Sequence, residues 1–184
     1  MSQRWHLPLG HRARLLLLIA ASAVAGVAGV SIALALAGGA GARALPARNF
    51  SVPVLGHPGR QLSLSRYAGK PVIVNFFASW CTPCQHETPL LARFYRSSHG
   101  QITMIGIDVN DPAGQALAFV RKTGVSYPIG VDIPPMPTAA AYNVTGLPQT
   151  FFLNDRHQIV KRVFGAVTRQ QLTTGTALID PGTK

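Results

Sequence analysis

The chain has 184 residues, of which 47% are hydrophobic, and its 17 Lys and Arg against six Asp and Glu give a formal net charge of +11. A nucleic-acid-binding function is excluded, because the basic residues are scattered along the chain and form no patch. A zinc site is also excluded, because the chain has only two cysteines and no second Cys-x-x-Cys pair to complete about four ligands.

The N-terminal quarter of the chain predicts a membrane anchor followed by a linker. No charged residue occurs from Leu15 to Ala42, and an apolar stretch of this length can cross a bilayer. A cleavable signal peptide usually has a shorter apolar region of about 7–15 residues, although Ala35-Leu36-Ala37 leaves cleavage open as an alternative. We therefore predict a basic cytoplasmic N-terminus, a transmembrane signal anchor, a linker and a folded domain over residues 1–14, 15–37, 38–49 and 50–184.

Three arginines set the predicted direction of this anchor. Arg4, Arg12 and Arg14 precede the apolar stretch, and such positively charged flanks normally stay in the cytoplasm. The domain is therefore predicted to lie on the extracytoplasmic side of a bacterial cell membrane, held there by a single pass. Disulfides persist in that compartment. The excess of basic residues also predicts a modest attraction to anionic membrane surfaces or acidic partners.

The first part of the domain predicts a hairpin and then a buried strand. Residues 50–64 contain short alternating runs broken by proline and glycine, as in a leading hairpin. Val72 to Phe77 is a nearly continuous apolar run, which is typical of a strand covered on both faces in a central sheet. The two cysteines follow this strand at its carboxyl end, where open α/β sheets place their sites.

The motif Trp80-Cys81-Thr82-Pro83-Cys84 predicts a redox-active pair. A thiolate at a helix start interacts with unpaired backbone N–H groups, so we expect a lowered pKa for Cys81, which attacks disulfides, while Cys84 resolves the mixed disulfide. A purely structural disulfide is disfavoured, because so short a loop restricts the unfolded chain little. Haem attachment is disfavoured because Gln85 stands where a histidine would follow Cys84.

The remaining segments alternate between helix and strand and predict one α/β domain with a single core. In chain order they are a helix with apolar residues at 90, 91, 94 and 95, a strand over 102–109, a helix from Ala113 to Val120, a strand over 127–131, a short helix over 138–142, a hairpin of strands over 150–153 and 159–164, and a last helix capped by Thr168.

Two separated stretches carry a resemblance to a known family. One runs from Asn75 to Cys84 and continues to Glu87 and Pro89, and the other runs from Val144 to Phe152. Together they resemble the thioredoxin superfamily, and specifically its membrane-anchored TlpA/ResA/CcmG (DsbE) branch. The resemblance implies a thioredoxin-like α/β fold, with a central mixed sheet flanked by helices. It also implies thiol-disulfide oxidoreductase activity that uses a redox-active disulfide and no other cofactor or metal.

The resemblance assigns roles to individual residues. It implies that Cys81 is the exposed attacking thiol, Cys84 the buried resolving thiol and Pro148 a cis proline packed against the pair. A cis Pro148 would leave the Leu147 backbone free to pair with an extended substrate segment. We expect Trp80 to cover the thiol site and contact substrate. The residues predicted in this way to bind substrate are Trp80, Thr82, Pro83, Leu147 and Pro148.

Glu87 matches an acidic residue that is characteristic of this branch. A carboxylate near the cysteines opposes thiolate formation and can accept a proton. The resemblance therefore favours a catalytic role over that of an ordinary acid in a first helical turn. Asn75 occupies the position at which thioredoxin itself has a buried aspartate, so the proton-relay role of that aspartate does not carry over.

The leading hypothesis is a membrane-tethered, extracytoplasmic reductase of protein disulfides. The resemblance implies that a membrane thiol donor regenerates its dithiol and that its substrates include apocytochrome c during cytochrome c maturation. Two alternatives stay open. One is an oxidase of the same fold that introduces disulfides, and the other is a copper metallochaperone that binds the metal through the cysteines and His157. A peroxidase is disfavoured, because it would need a single peroxidatic cysteine in a Thr-rich turn, which this motif does not supply.

Overall fold

The computed structural model describes residues 45–180. The predicted basic N-terminus, the predicted signal anchor and most of the predicted linker lie outside the described residues. Within residues 45–180, no helix is both long enough and apolar enough to cross a bilayer.

A mixed sheet organises the described part of the chain. Its strands are β1 Leu45–Pro46, β2 Ser51–Val54, β3 His57–Ser63, β4 Val72–Phe77, β5 Thr103–Val109, β6 Ile129–Asp132, β7 Gln149–Leu153 and β8 Gln158–Phe164. Across the sheet their order is β1-β8-β7-β4-β5-β6-β2-β3. The central strand β4 therefore has three strands on one side and four on the other.

The register around β4 brings three chain segments to one edge of the sheet. β4 runs parallel to β5 and antiparallel to β7, and all of its residues are buried, as predicted. Phe77 pairs with Asp108 near the end of β5, and Phe76 pairs with Gln149 at the start of β7. We call this edge, where β4 and β5 end and β7 begins, the site edge.

Four α-helices and one short 3-10 helix complete the described fold. The 3-10 helix is Leu64–Tyr67, and the α-helices are α1 Thr82–Ser97, α2 Ala113–Thr123, α3 Pro137–Ala141 and α4 Arg169–Ile179. The predicted cap of α4 is confirmed. Thr168 Oγ1 accepts the backbone N–H of Gln171, and the Gln171 side chain accepts the N–H of Thr168, which together satisfy two N–H groups at the helix start.

Packed layers cover both faces of the sheet. On one face, α1, α2 and α4 pack on a core that includes Ile73 and Phe77 of β4. On the other face, α3 and the hairpin of β2 and β3 pack on a core that includes Val74 and Phe76. The alternation along β4 thus sends successive side chains into different cores. A mixed sheet with helices on its faces confirms the predicted α/β class.

The chain joins the sheet earlier than the sequence predicts. The predicted linker extends to Asn49, but Leu45 and Pro46 pair with β8. The N–H of Ala47 also donates to the carbonyl of His157 over 2.8 Å. A strand of two residues is too short to show a hydrophobic alternation, so its pattern could not reveal it. The α-helices and the other strands have the predicted type and order, with ends that differ by a few residues. The 3-10 helix Leu64–Tyr67 was not predicted.

Candidate active site

The two cysteines form a disulfide at the start of α1. Cys81 is the cap residue, and its Sγ accepts the backbone N–H of Cys84 over 3.2 Å. The Cα atoms of the bonded cysteines are 5.2 Å apart. Between them, Thr82 and Pro83 form the first turn of the helix, a position that tolerates proline because the first N–H groups have no partner inside a helix. Thr82 and Pro83 are exposed, so they border the disulfide on its solvent side.

The two sulfurs differ in exposure in the predicted direction, but less than predicted. Cys84 is completely buried, whereas Cys81 retains 5% of its surface in this disulfide form. Cys81 is therefore almost buried in this form, whereas the resemblance implies an exposed thiol. In this disulfide form only Cys81 has any surface open to solvent, while Cys84 has none. This asymmetry fits attack at Cys81 and resolution by Cys84.

Glu87 lies buried one helical turn after Cys84, with hydrogen bonds to both of its carboxyl oxygens. Oε1 accepts the side-chain amide N–H of Asn75 over 2.9 Å, and Oε2 accepts the backbone N–H of Val167 over 2.6 Å. Burial, which disfavours the charged form, outweighs these two donors and raises the pKa of Glu87 to about 7. At neutral pH the carboxyl group can therefore either give or take a proton.

Asn75 links Glu87 to the sheet and has one unsatisfied atom. Its Nδ2 donates to Glu87 and, over 3.1 Å, to Thr150 Oγ1. Its Oδ1 is buried and accepts no hydrogen bond from the described residues. Rotation of the amide would place an acceptor beside Glu87 in place of a donor, and the Thr150 hydroxyl can pair with either. Asn75 can thus form a hydrogen bond with Glu87 whether the Glu87 carboxyl group is ionised or protonated.

Ser79, two residues before Cys81, is held by a carboxylate that the sequence analysis did not single out. Its backbone N–H donates to Asp111 Oδ2 over 2.5 Å, and its hydroxyl donates to Asp111 Oδ1 over 2.9 Å. The carbonyl of Ser79 accepts the side-chain amide of Gln85 over 2.7 Å. Asp111 follows β5 at the site edge, and acidic residues just after a parallel strand are the signal that could have identified it.

A second missed carboxylate, Asp108, lies three residues before Asp111. Asp108 is fully buried at the site edge, in register with Phe77 of β4. Neither of its carboxyl oxygens accepts a hydrogen bond from the described residues. Burial, which disfavours the charged form, is the main cause that raises the pKa of Asp108 to about 8, and the negative charge of Asp111 adds to it.

Trp80 is exposed, as predicted, and borders an apolar groove. Its side chain retains 55% of its surface, and its Nε1 donates to the carbonyl of Asn110 over 3.1 Å. The groove has a volume of about 340 Å³ and runs from Trp80 past Met136 to Leu147. An exposed indole whose polar atom is already paired presents an apolar face to a ligand.

Pro148 and Leu147 lie at the same edge of the sheet as the cysteines. The Leu147–Pro148 peptide bond is cis, as the resemblance implies. Pro148 is buried, and its carbonyl accepts the N–H of Gly165 over 2.9 Å. The backbone N–H and C=O of Leu147 make no hydrogen bond with any described residue. Both groups are thus available to an extended peptide, as predicted.

The structure does not bring His157 to the cysteines, as the alternative of a copper metallochaperone requires. His157 lies in the turn between β7 and β8, where its Nε2 is 3.1 Å from the carbonyl of Tyr67. That turn is at the opposite end of β4 from Cys81, because β7 runs antiparallel to β4. A strand of this length separates its two ends by roughly 20 Å. Among residues 45–180, no three His, Cys, Asp or Glu side chains are grouped to hold a metal ion.

Comparison with known proteins agrees with the fold and the motif. A family model described as the AhpC/TSA family matches residues 44–162. The thiol-disulfide oxidoreductase ResA of Bacillus subtilis (strain 168) is 32% identical over 125 residues, which cover 67% of this chain and 69% of that protein. The thiol:disulfide interchange protein DsbE of Xylella fastidiosa (strain Temecula1) is 33% identical over 127 residues, which cover 69% of this chain and 64% of that protein.

A solved structure gives the same result. The crystal structure of a thiol:disulfide interchange protein of the thioredoxin family from Chlorobium tepidum TLS matches with a TM-score of 0.66 and 26% sequence identity. The match covers 76% of this chain and 99% of that chain. The predicted resemblance to the thioredoxin superfamily and to the ResA and DsbE proteins is therefore confirmed.

Proposed function

The chain belongs to the AhpC/TSA family of the thioredoxin superfamily, and on that premise we propose that it reduces selected protein disulfides outside the cytoplasmic membrane. It is a protein-disulfide oxidoreductase of the ResA and DsbE type. The observation that carries the proposed direction is the placement of a buried acid, Glu87, one helical turn from a disulfide whose second sulfur is sealed from solvent.

The proposed reaction transfers two electrons from the Cys81–Cys84 dithiol to a client disulfide. The Cys81 thiolate attacks one client sulfur, so that a mixed disulfide forms and the other client sulfur leaves as a thiolate that takes up a proton. The Cys84 thiolate then attacks Cys81 Sγ, which closes the Cys81–Cys84 disulfide and releases the second client thiol. The chemistry uses only these sulfurs, so we expect no bound cofactor.

Glu87 is proposed to take the proton that Cys84 must lose before it attacks. Its carboxyl group follows Cys84 by one helical turn, and its pKa of about 7 suits a group that both accepts and returns a proton near neutral pH. A carboxylate beside the pair also disfavours a second negative charge on sulfur. It therefore destabilises the reduced form relative to the disulfide, which is the direction of a reductant and the opposite of the stabilised dithiol of a strong oxidase.

Clients are proposed to bind along the site edge. The unpaired backbone groups of Leu147 can add an extended client segment by main-chain hydrogen bonds. Trp80 and the apolar groove beside it can hold the client's side chains, and Thr82 and Pro83 contact the segment at the disulfide. Pro148, buried behind Leu147, positions that backbone. A segment carrying paired cysteines, such as the haem-binding segment of apocytochrome c, has the required chemistry.

The reduction potential separates the reductase from the oxidase alternative. The reduction potential of thioredoxin is about −270 mV, and that of the oxidase DsbA is about −120 mV. For the purified full chain in detergent, titrated against glutathione buffers, we expect a potential near the thioredoxin end of this range. A potential near the DsbA end would contradict the reductase proposal and support the oxidase. Turnover of hydrogen peroxide at a comparable rate would instead support a peroxidase.

Client trapping tests the two cysteine roles. In the variant Cys84→Ser the mixed disulfide through Cys81 cannot be resolved, so we expect adducts to accumulate in the bacterial envelope and to be released by reductant. Cys81→Ser is the matched control and should capture no client, because Cys84 is buried. Equal adduct yields from the two variants would contradict the assignment of Cys81 as the attacking sulfur.

The proposed location needs a separate test. The predicted anchor over residues 15–37 would keep the full-length protein in the membrane fraction after alkaline washing, with the domain digested by protease added outside the cytoplasmic membrane. The intact mass of the purified protein then distinguishes an anchor from a cleaved signal peptide. We propose that a thiol donor in the same membrane regenerates the dithiol, since the extracytoplasmic compartment is oxidising.

A further inference from the structure

The end of the sheet opposite the site edge carries exposed cations that the proposed reaction does not use. At this end, which we call the basal end, β4, β5 and β8 begin and β7 ends. α1 and α2 each follow a strand that ends at the site edge, so both helices run back toward the basal end. The exposed cations at the basal end are Lys70, Arg96, Arg121, Lys122 and Arg156.

Four separate segments supply these five cations. Lys70 lies two residues before β4, and Arg156 lies in the turn between β7 and β8. Arg96 lies in the last turn of α1 and donates to the carbonyl of Gly124, just after α2, so the two helices end side by side. A helix dipole favours cations at the end of a helix, but Lys70 and Arg156 lie outside the helices.

The acids at the basal end do not balance these cations. Only two of the six acids of the chain, Asp155 and Asp180, lie at this end, the first in the turn between β7 and β8 and the second directly after α4. The other four are the buried acids of α1, β5, β6 and the loop after β5. The basal end therefore keeps a positive excess at neutral pH.

The described chain also enters the sheet at the basal end. Leu45 and Pro46 pair with Ile159 and Gln158, the first two residues of β8. The predicted anchor ends at residue 37, and residues 38–44 can span at most roughly 25 Å. Such a tether keeps the membrane surface within reach of the basal end and raises its effective concentration there, so that a weak attraction suffices for contact.

We propose that the basal end binds the anionic phospholipid headgroups of the membrane in which the chain is anchored. Anionic lipids attract basic residues that lie close to a bilayer surface. Cations that come from four segments suit an extended plane of charge, whereas a single small anion needs donors that converge on one point. The composition predicts an attraction to anionic membranes without a location, and the inference assigns it to this end. It rests on the proposed membrane location.

Binding at the basal end directs the site edge away from the bilayer. β4 separates the two ends by roughly 20 Å, so the cysteine motif faces the aqueous compartment in which soluble clients diffuse. Arg162 near the end of β8 and Arg169 at the start of α4 lie toward the site edge. These two cations stay available to acidic clients while the basal end contacts lipid.

Lysine acetylation tests the orientation of the full chain. Nanodiscs of phosphatidylcholine are compared with nanodiscs that also contain phosphatidylglycerol, and mass spectrometry follows each lysine. We expect the anionic lipid to slow acetylation of Lys70 and Lys122 about fivefold, and salt near 1 M to restore it. Lys161, within β8 and hydrogen-bonded to Thr174 Oγ1 over 3.1 Å, is the internal control and should react equally in both. Equal slowing of all three lysines, or of none, would overturn the inference.

Charge reversal tests which cations contact the lipid. Arg121→Glu combined with Arg156→Glu changes charge only at the basal end, so acetylation of Lys70 should no longer respond to phosphatidylglycerol. Arg60→Glu combined with Arg169→Glu is the matched control, because it changes the net charge equally but on β3 and at the start of α4. This control should keep the slowing. Equal loss in both double variants would assign the effect to net charge and overturn the inference.

The outcomes separate this inference from the proposed function. Protein recovered without its anchor contradicts the proposed location, and co-sedimentation of that form with phosphatidylglycerol vesicles then decides the inference, which a lack of binding overturns. Slowed acetylation in native membranes but not in nanodiscs would assign the basal end to a protein partner and overturn lipid binding. Slowing that requires Arg121 and Arg156 supports the inference, whatever the reduction potential of the cysteines.

Discussion

Glu87 can form hydrogen bonds in both of its protonation states, because the side-chain amide of Asn75 can turn either its N–H or its carbonyl oxygen toward it. As a carboxylate it accepts from Asn75 and Val167. As a carboxylic acid it needs one acceptor, and the buried Oδ1 of Asn75 is without a partner among the described residues. Half a turn of the Asn75 amide supplies that acceptor and moves Nδ2 to the position where Oδ1 has no partner, so one end of the Asn75 amide is unpaired in either state. An aspartate at position 75 could not serve both states in this way.

Replacing Glu87 with glutamine should slow disulfide exchange while the domain still folds. The introduced amide can donate to a rotated Asn75 and accept from Val167, so the hydrogen bonds at this position are kept, but it cannot take a proton. We expect the rate of insulin reduction to fall on the order of 100-fold, and the inflection near pH 7 to disappear from the pH profile. Unchanged rates from pH 5 to pH 9 would show that Glu87 has only a structural role.

The same substitution should change how stability depends on pH. Because the pKa of Glu87 is raised in the folded state, the unfolded chain releases this proton first, and the free energy of unfolding falls as pH rises from about 4.5 to about 7. The shift corresponds to about 3 kcal/mol. Urea unfolding at several pH values should therefore show Glu87→Gln gaining about that much on the wild type across this window. A constant difference between the two proteins would contradict the raised pKa.

Among individual site residues, those that form a contiguous motif were predicted from the sequence, whereas their partners from distant parts of the chain were missed. Cys84 and Glu87 lie in α1 and Cys81 caps it, so their spacing alone indicated that they lie together. The partners of Ser79 and Glu87 are 32 and 80 residues away in sequence. Such pairings depend on the register of the sheet and on loop conformation, neither of which residue spacing reveals. The true exposure of Cys81 was missed for the same reason.

The elements around the site are held by close packing of helices on the sheet. α4 crosses β7 at Gly175, which is buried, and a Cβ atom added there would overlap the ring of Phe152. Phe152 is itself fully buried and cannot move without displacing its neighbours. The same helix follows Val167, whose N–H binds Glu87, so this contact also sets the position of that donor.

Replacing Gly175 with alanine should destabilise the domain by about 1–3 kcal/mol, because an extra methyl group is forced into a filled core. Gly114 in the first turn of α2 is the matched control, since nothing lies within 4 Å of an added Cβ there. Gly114→Ala should be neutral or stabilising by about 0.5 kcal/mol. Urea unfolding of both variants measures the two effects, and equal stabilities would contradict the packing of α4 on Phe152.

Elements with a clear period or a clear turn signal were predicted, and the exceptions have physical reasons. The apolar run of β4 and the Thr168 cap of α4 are local signals, and both are confirmed. β1 has only two residues and is defined by its partner β8, so no local pattern marks it. The second cis peptide bond, Pro134–Pro135, lies in a loop outside the two stretches of sequence that carry the resemblance.

The charges of the whole described domain are distributed unevenly between interior and surface. Four of the six acids, Glu87, Asp108, Asp111 and Asp132, are buried, whereas none of the Lys and Arg side chains in residues 45–180 is buried. Two of the buried acids, Glu87 and Asp111, accept hydrogen bonds from residues around the cysteine motif. The surface that a client meets is consequently much more positive than the interior beneath the thiols, although the composition alone indicates only an excess of bases.

This positive surface should favour clients that carry negative charge near their cysteines. Association with an oppositely charged partner is accelerated by long-range attraction and is slowed by salt. At low ionic strength, we expect a disulfide peptide with acidic flanking residues to be reduced about tenfold faster than one with basic flanking residues, with a neutral peptide between them. The three rates should converge near 1 M salt, where the screening length is about 3 Å. Stopped-flow measurement of peptide reduction gives each rate, and a preference that survives high salt would assign it to the groove beside Trp80 and not to surface charge.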